Sequence, residues 1–341
     1  MRIALDATYS FGDALSGVGV YSREILYGLA ASNVAERWEW FYRSHRYWKA
    51  LRLGKPANVR TRLLTETWGS RSADLFHGLN QRLPRRRFRR NIATFHDLFV
   101  LSGEYSTPEF RTRFAGQARD ASDRADLIIA VSEFTARQVE IFLNVPRSRI
   151  RVVHHGVIPR SLPDRPRENV VLCVGAIQKR KNQAGLVRAF AALPREWTLV
   201  LAGSDGFGAS ETAEAIAASP ARDRIRVTGY LLESELANWY ARASIFAFPS
   251  FDEGFGMPVL EAMAAGIPVI ASNCSALPEV AGDAALLIDP NRDEQLVAAL
   301  SLLAADPQKR IALVARGEER AKAFTWARAV TETARIYREL L

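Results

Sequence analysis

Residues 251–272 read FDEGFGMPVLEAMAAGIPVIAS. The IFAFPS before them (245–250) has the length and the aromatic, β-branched character of a strand. FDEGFG carries two glycines and two acids and reads as a loop. Pro258 suits the first turn of a helix, because its missing N–H would be unpaired there anyway. The apolar residues run on to about Ala265, Gly266 stops the helix, and IPVIAS (267–272) is the next strand. Strand, loop, helix and strand follow one another, with Glu253 at the C-terminal end of the first strand and Glu261 one turn into the helix.

The same alternation runs along the chain. RIALDA (2–7), NIATFHDLFV (91–100), ADLIIAVS (125–132) and RIRVVHHGV (149–157) contain strand patterns, with helical spacing at Val20, Ile25, Leu26 and Leu29 and again from Glu133 to about Leu143. VIPRSLPDRPREN (157–169) has three prolines and no periodicity, the marks of a linker. VVLCVGA (170–176), WTLVLAG (197–203), RIRVTG (224–229), ASIFAFPS (243–250) and IPVIAS then resume the pattern. Alternating strands and helices argue for parallel sheets covered on both faces, and two such units of similar size predict an α/β protein of two Rossmann-like domains facing each other. Their expected bounds are 1–160 and 161–324, with 325–341 as a final helix. Residues 33–75 are the least readable part.

Composition narrows the function classes. The 341 residues are 48% hydrophobic and 24% charged, ordinary for a globular chain. No run approaches the roughly 18 apolar residues of a membrane span, and MRIALDATYS has too short an apolar core for a signal peptide, so a cytoplasmic location is expected. Cys173 and Cys274 are the only cysteines, which excludes a disulfide framework and a cysteine zinc site. The net charge of +9 is uneven: residues 1–165 hold 27 Lys and Arg against 16 Asp and Glu, the rest 19 against 21. Such asymmetry points to a polyanionic partner.

Chemistry concentrates in the second half. In open α/β sheets ligands bind at the C-terminal edge of the strands. The N–H groups from Gly254 to Met257 open a helix, and a helix N-terminus attracts anions; Gly254 and Gly256 let a phosphate approach. A carboxylate further along can accept hydrogen bonds from a sugar's vicinal hydroxyls, so Glu253 and Glu261 could bracket a sugar nucleotide. The plainer alternative is that Glu253 caps the helix and Glu261 is solvated. VGAIQKRKN (174–182) puts Arg180 and Lys181 at another strand-to-helix loop, where they could neutralise a leaving diphosphate or form a solvated basic turn. His45, His77, His154 and His155 lack metal-like spacing and read as structural or loop histidines; His96, followed by Asp97 at a strand end, is the better candidate. No Asp-x-Asp occurs. RLPRRRFRR (82–90) holds six arginines, Arg82, Arg85, Arg86, Arg87, Arg89 and Arg90. It reads as a solvated loop or as an anionic-membrane contact, with Phe88 available for insertion; no nucleic-acid reading module accompanies it.

PSFDEGFGMPVLEAMAAGIPVIAS (249–272), LPEVAGDAALLIDP (277–290) and GAIQKRKN (175–182) together resemble the retaining GT-B glycosyltransferases of family 4. SGVGVY (16–21), FHGLN (76–80), TFHDL (94–98), AVSEFT (130–135), VVHHGV (152–157) and the closing FTWARAVTETARIYREL (324–340) match as well. The resemblance covers nearly the whole chain, thinly at 33–75. It implies two Rossmann-like domains across a cleft, with the last helix crossing back onto the first. Glu261 would bind the donor's ribose hydroxyls, Arg180 and Lys181 its diphosphate, and Glu253 with the amides of Gly254, Phe255 and Gly256 the transferred sugar. Gly17 and Gly19 would let a first-domain loop close over the phosphates. His96 would face the reacting sugar, and the nucleobase would rest near Tyr230 in VTGYLL (227–232). Lys179 stands where the family usually has proline.

The expected activity is retaining, metal-independent hexosyl transfer, with mannose from GDP-mannose to a glycan or lipid-linked acceptor of bacterial surface polysaccharide. A UDP-sugar donor, a sugar-nucleotide epimerase or a phosphorylase of the same fold are alternatives, though the last needs a pyridoxal phosphate lysine that is not identifiable. A dehydrogenase lacks its Gly-x-Gly-x-x-Gly after a strand with an acid about 20 residues on. A non-catalytic basic adaptor is the remaining class. The partners expected are the nucleotide sugar, the acceptor and the inner face of the plasma membrane, the last through residues 82–90.

Overall fold

A computed structural model of the chain describes residues 2–12, 15–32, 36–67, 73–86 and 88–341. It has two compact units: residues 1–102, 107–156 and 325–341 make the first, 103–106 and 157–324 the second. The boundary falls at 156/157, slightly before the proline-rich stretch.

The first unit's strands are β1 (Arg2–Asp6), β2 (Arg37–Tyr42), β3 (Val59–Leu63), β4 (Leu75–Gly78), β5 (Arg90–Phe95), β6 (Leu127–Ala130) and β7 (Ile150–Val152). They lie in the order β3-β2-β1-β4-β5-β6-β7, every pair parallel. The second unit has β8 (Glu168–Val174), β9 (Thr198–Ala202), β10 (Ile225–Val227), β11 (Ala243–Phe248), β12 (Val269–Ser272) and β13 (Ala285–Ile288). Their order is β10-β9-β8-β11-β12-β13, again all parallel. Helices cover both faces of such sheets, so interior strands are buried on both sides: LIIA of β6 and VIAS of β12 are buried at every position.

Both orders reverse direction between the unit's first strand and its fourth, at β1/β4 and at β8/β11. Loops leaving the C-terminal ends of those strands diverge and leave room for a ligand. In the second unit these loops are 175–182 and 249–256, the two stretches that carry Arg180, Lys181 and Glu253. The opening stretch folds as read, with the helix at Met257–Ala264 and Gly266 at φ +65° behind it. One close approach fixes the site's floor: a Cβ on Gly203, after β9, would lie 2.1 Å from the carbonyl oxygen of Gly175, after β8. Only glycine lets those two strand ends meet.

The helix Trp326–Leu340 belongs to the first unit. Thr325 caps it, accepting from the Arg328 N–H at 3.2 Å. It crosses the helix Gly17–Ser32 at Gly28, where a Cβ would sit 2.4 Å from Val330 Cγ2. Its Tyr337 hydroxyl is 2.6 Å from His77 Nδ1, while His77 Nε2 is 2.8 Å from Thr94 Oγ1, itself 3.0 Å from the Tyr21 hydroxyl. That buried chain of polar groups joins the last helix to β4, β5 and the first helix.

Candidate active site

The turn after β8 is built to hold cations. Gly175 has φ +134°, Lys179–Lys181 form one 3-10 turn, and Asn182 is left-handed at φ +54°. Asn182 Oδ1 then accepts the Gly185 N–H at 3.2 Å and starts the helix Gln183–Phe190, while its Nδ2 donates to the Pro290 carbonyl at 2.9 Å. Lys179, in place of the family's usual proline, adds a bond that proline cannot make: its N–H donates to the Phe207 carbonyl at 2.9 Å.

Arg180 and Lys181 converge on one carboxylate. Arg180 NH1 is 2.9 Å and Lys181 Nζ 2.7 Å from Glu253 Oε1. Arg180 also donates to the Asp252 carbonyl at 2.8 Å and to Gln178 Oε1 at 3.1 Å, and the Phe251 N–H donates to the Arg180 carbonyl at 2.8 Å. The two loops are thus bonded to each other. The Lys181 ammonium lies across Gly175 and over the Phe248 ring, 4.5 Å from its centroid. Burial alone would raise the Glu253 carboxyl, but the two cations outweigh it and hold it at about 2. Burial likewise pulls Lys181 below the ordinary lysine range, with Glu253 opposing it. Glu253 is therefore ionised at neutral pH, and two cations face it.

Glu253 Oε1 is thus taken up by Arg180 and Lys181, whereas the resemblance implies a contact between this carboxylate and the transferred sugar. Glu253 is 8% exposed and serves first to hold Arg180 and Lys181. It is not the cap of the next helix: Gly256, at φ +102°, occupies that position without a side-chain bond. Gly254, Phe255 and Gly256 are buried, and Phe255 packs edge-on against Phe324.

Glu261 lies elsewhere on the unit and is not merely solvated. Its Oε2 accepts from Arg160 NH2 at 3.0 Å and from the Tyr240 hydroxyl at 2.9 Å. Arg160 also bonds Glu233 and stacks over the Tyr240 ring at 5.1 Å. Burial works against the Arg160 charge, yet Glu261, Tyr240 and Glu233 together outweigh it and raise the guanidinium above its usual range. Sequence reading missed both partners. Arg160 sits among prolines read as spacer, and a lone arginine there carries no pattern. Tyr240 is fully buried, and a buried tyrosine needs a hydroxyl partner, but burial was not legible in the helix Glu233–Arg242. Tyr230 is 54% exposed in the loop after β10.

In the first unit, Gly17 opens its helix and is exposed, whereas Gly19 is buried, with Tyr9's carbonyl 2.9 Å from where a Cβ would be. His96 follows β5, and its Nε2 is 2.9 Å from the Leu79 carbonyl. A carbonyl only accepts, so Nε2 carries the proton and Nδ1 holds the lone pair. The ring stacks on His155 at 5.4 Å and meets Tyr21 edge-on at 4.7 Å. Burial lowers His96 to about 4, the Leu79 bond opposing it only in part. At neutral pH it is a hydrogen-bond acceptor, not a cation.

The arginine run differs from its sequence reading. Arg86 is buried, its guanidinium 4.6 Å from the centroid of the Phe88 ring, and Phe88 is buried against Phe76. Arg82 bonds Gln117, and Arg90 pairs with Asp126 at 3.1 Å. Arg87 lies outside the described residues. Arg85 and Arg89 are the exposed remainder, and Phe88 is core, not an insertion group.

The chain is similar to known proteins in sequence and in fold. The family model described as Glycosyltransferase Family 4 matches residues 30–160, and that described as Glycosyl transferases group 1 matches 157–320. The chain is 30% identical over 284 residues to the O-antigen chain mannosyltransferase B of Escherichia coli, covering 78% of this chain and 74% of that one. Sucrose-phosphate synthase of Thermosynechococcus elongatus superposes with a TM-score of 0.79 at 24% identity, over 99% of this chain and 98% of the other. Anabaena HepE, crystallised with UDP and glucose, gives 0.76 at 18% identity, with 99% of both chains covered. Two parallel Rossmann-like sheets, the bonded 175–182 and 249–256 loops and these matches make the chain a member of glycosyltransferase family 4, a glycosyltransferase of GT-B fold.

Proposed function

We propose that the protein is a retaining, metal-independent hexosyltransferase that moves mannose from GDP-mannose to a glycan or lipid-linked acceptor in bacterial surface-polysaccharide synthesis. The observation that carries the donor class is the pair of cations, Arg180 and Lys181, against one carboxylate at the switch point of the second sheet. The choice of mannose is supported by the likeness to the O-antigen chain mannosyltransferase. The complex of HepE with UDP and glucose keeps a UDP-sugar donor as the second reading.

In this reading Glu261 accepts the ribose hydroxyls through Oε1 while Arg160 and Tyr240 hold Oε2. Arg180, Lys181 and the first N–H groups of the helix Met257–Ala264 neutralise the diphosphate as it leaves, which lowers the barrier electrostatically. Exposed Tyr230 supplies a face for the base. Exposed Gly17 leaves backbone room for a phosphate, Gly19 lets that turn pack against the Tyr9 carbonyl, and His96 Nδ1 accepts a hydrogen bond from a hydroxyl of the transferred sugar. The bond from the anomeric carbon to the donor phosphate breaks, the acceptor oxygen bonds that carbon on the same face, and the acceptor's proton passes to the departing phosphate. Metal independence rests on the absence of Asp-x-Asp. Cytoplasmic placement with peripheral attachment to anionic lipid belongs to the same reading. No helix among the described residues is long and apolar enough to cross a membrane.

A panel of nucleotide sugars, with the product analysed by NMR, tests the reading. GDP-mannose is expected to be turned over in excess EDTA and to give an α-linked product; a β-linked product or complete loss in EDTA refutes the mechanism. Arg180→Ala is expected to weaken calorimetric GDP affinity by about 1.5–3 kcal/mol, roughly 10- to 150-fold, the usual worth of a charged hydrogen bond. Lys181 still pairs Glu253 in that variant, so an unchanged affinity in a folded protein removes Arg180 from the diphosphate site. Arg160→Ala, which frees Glu261 to turn, is expected to weaken GDP by about 1–2 kcal/mol, and Arg160→Lys to recover part of the loss. Equal affinities across the three proteins would show that Glu261 needs no such support.

A further inference from the structure

The stretch that sequence reading could not interpret has a surface of its own in the first unit. Between Phe41 and Thr65 there are seven Lys and Arg and no Asp or Glu. The helix Ser44–Ala50 runs on through a turn: the N–H groups of Leu51, Arg52 and Leu53 donate to the carbonyls of Tyr47, Lys49 and Ala50 at 3.1, 3.1 and 3.2 Å. Ala50 is buried beneath it, and the Tyr27 hydroxyl donates to the Gly54 carbonyl at 3.2 Å. The turn is held from below, and its other side stands in solvent.

That side alternates apolar and cationic residues. Trp48 is 74% exposed, Leu51 48% and Leu53 40%, the first the equal of any large apolar side chain among the described residues. Lys49 and Arg52, set between them, and Lys55, just after Leu53, are exposed too, Lys55 also donating to the Thr61 hydroxyl at 3.2 Å. Other basic side chains of the stretch are engaged in the fold: Arg43 with Glu66, Arg62 with Glu39, and Arg46 with the Phe11 carbonyl. A core-facing helix hides its apolar residues; this one presents them with cations on both sides. Tryptophan and leucine interleaved with Lys and Arg fit an interface where apolar side chains enter lipid while cations stay with anionic headgroups.

We propose that the turn Trp48–Lys55 is a docking surface for anionic lipid bilayers, with Trp48, Leu51 and Leu53 entering the headgroup boundary and Lys49, Arg52 and Lys55 on the lipid phosphates. It takes the place of the 82–90 run, whose Phe88 is buried and whose Arg82 and Arg90 are paired. It rests on the peripheral attachment that belongs to the proposed function and names a surface for it, one that shares no residue with the donor site.

The test is co-sedimentation of the full chain with phosphatidylcholine vesicles, pure or containing phosphatidylglycerol. The protein is expected to sediment only with the anionic vesicles. Replacing Lys49, Arg52 and Lys55 together by Ser is expected to weaken partitioning about 100-fold, each cation near an anionic surface being worth about fivefold. Trp48→Ser with Leu51→Ser and Leu53→Ser is expected to leave binding that 0.5 M salt abolishes, since what remains is electrostatic. Arg85→Ser with Arg89→Ser is expected to change nothing. All the replaced side chains are exposed, and unchanged melting and GDP affinity in each variant separate a failed surface from a failed fold or donor site. The proposal is overturned if the wild type stays in the supernatant with anionic vesicles at low salt, or if the arginine pair alone releases it. It is equally overturned if light scattering shows that the apolar substitutions turn a dimer into a monomer, because the face would then be a contact between copies.

Discussion

Glu253→Gln is expected to destabilise the second unit by about 3–5 kcal/mol, the usual cost of removing one partner from a buried ion pair. The reason is what stays behind. Lys181 is 7% exposed and Arg180 nearly as covered, and both direct their charge at the one oxygen that the substitution neutralises. A unit of this size loses about 2–4 °C in melting temperature per kcal/mol, so its transition should fall by roughly 10 °C. Lys181→Met added to Glu253→Gln removes one stranded cation and should restore much of that loss, giving a coupling of about 2 kcal/mol between the two positions. Calorimetric melts of the two single variants and the double decide the matter. If the Glu253 variant melts with the wild type, the cations do not depend on it and the carboxylate is free for substrate after all. The result also governs how kinetics are read. Slow turnover in Glu253→Gln counts as a lost sugar contact only in a variant whose Arg180 and Lys181 are shown to be still in place.

How much of this was legible in the sequence depended on whether the signal was local. The loop FDEGFG and the cluster QKRKN announce themselves by composition, and parallel strands on both sides of the β8/β11 switch point bring them together. Their mutual pairing was not legible, because strand order is a long-range property: 72 positions separate Lys181 from Glu253. Arg160 and Tyr240 escaped for the same reason, each an ordinary residue until Glu261 lies beside it. The 33–75 stretch hid β2 and β3 because RWEWFY and VRTRL mix charges into strands. Glu39 is buried in β2, where it pairs with Arg62 of β3 at 3.2 Å, so polar content did not mark exposure. The arginine run failed in the opposite sense: RLPRRRFRR looked uniformly solvated, yet Arg86 stacks on aromatic rings. A guanidinium is weakly hydrated and flat, so it can be buried against rings where an ammonium would not.

Acid should unfold the first unit before the second. His77, His96 and His155 are buried there, and burial lowers all three: His77 to about 3, His96 to about 4, and His155 well below the ordinary histidine range. Each neighbouring histidine adds to the effect on His77 and His155, since none of the three tolerates a second positive ring nearby. The unfolded chain takes up protons at about 6.5, so below that pH it binds more protons than the folded one and stability falls with pH. The loss sets in below about 6.5 and continues until the folded rings titrate near 3–4. At pH 5.5 it amounts to about 1.4 kcal/mol for each histidine, roughly 4 kcal/mol for the three. Asp6, buried at the end of β1 and raised by burial despite its Thr8 bonds, works in the opposite direction but only above its unfolded value near 3.8. In the second unit Glu253 contributes stability that is intact above about 4.5 and is lost as pH falls toward 2. Between 6.5 and 4.5 Glu253 is unaffected, and the first unit loses what the histidines cost less what Asp6 returns. Melts at pH 7.5 and 5.5 should show the first unit's transition dropping while the second holds. His77→Gln gives the control: it loses bonds to Tyr337 and Thr94 and starts lower at pH 7.5, yet its decline between the two pH values should be about a third shallower. Equal slopes in wild type and variant would mean that His77 is already protonated in the fold, with Tyr337 and Thr94 both accepting from the ring, and the buried chain that holds the last helix would then carry a charge.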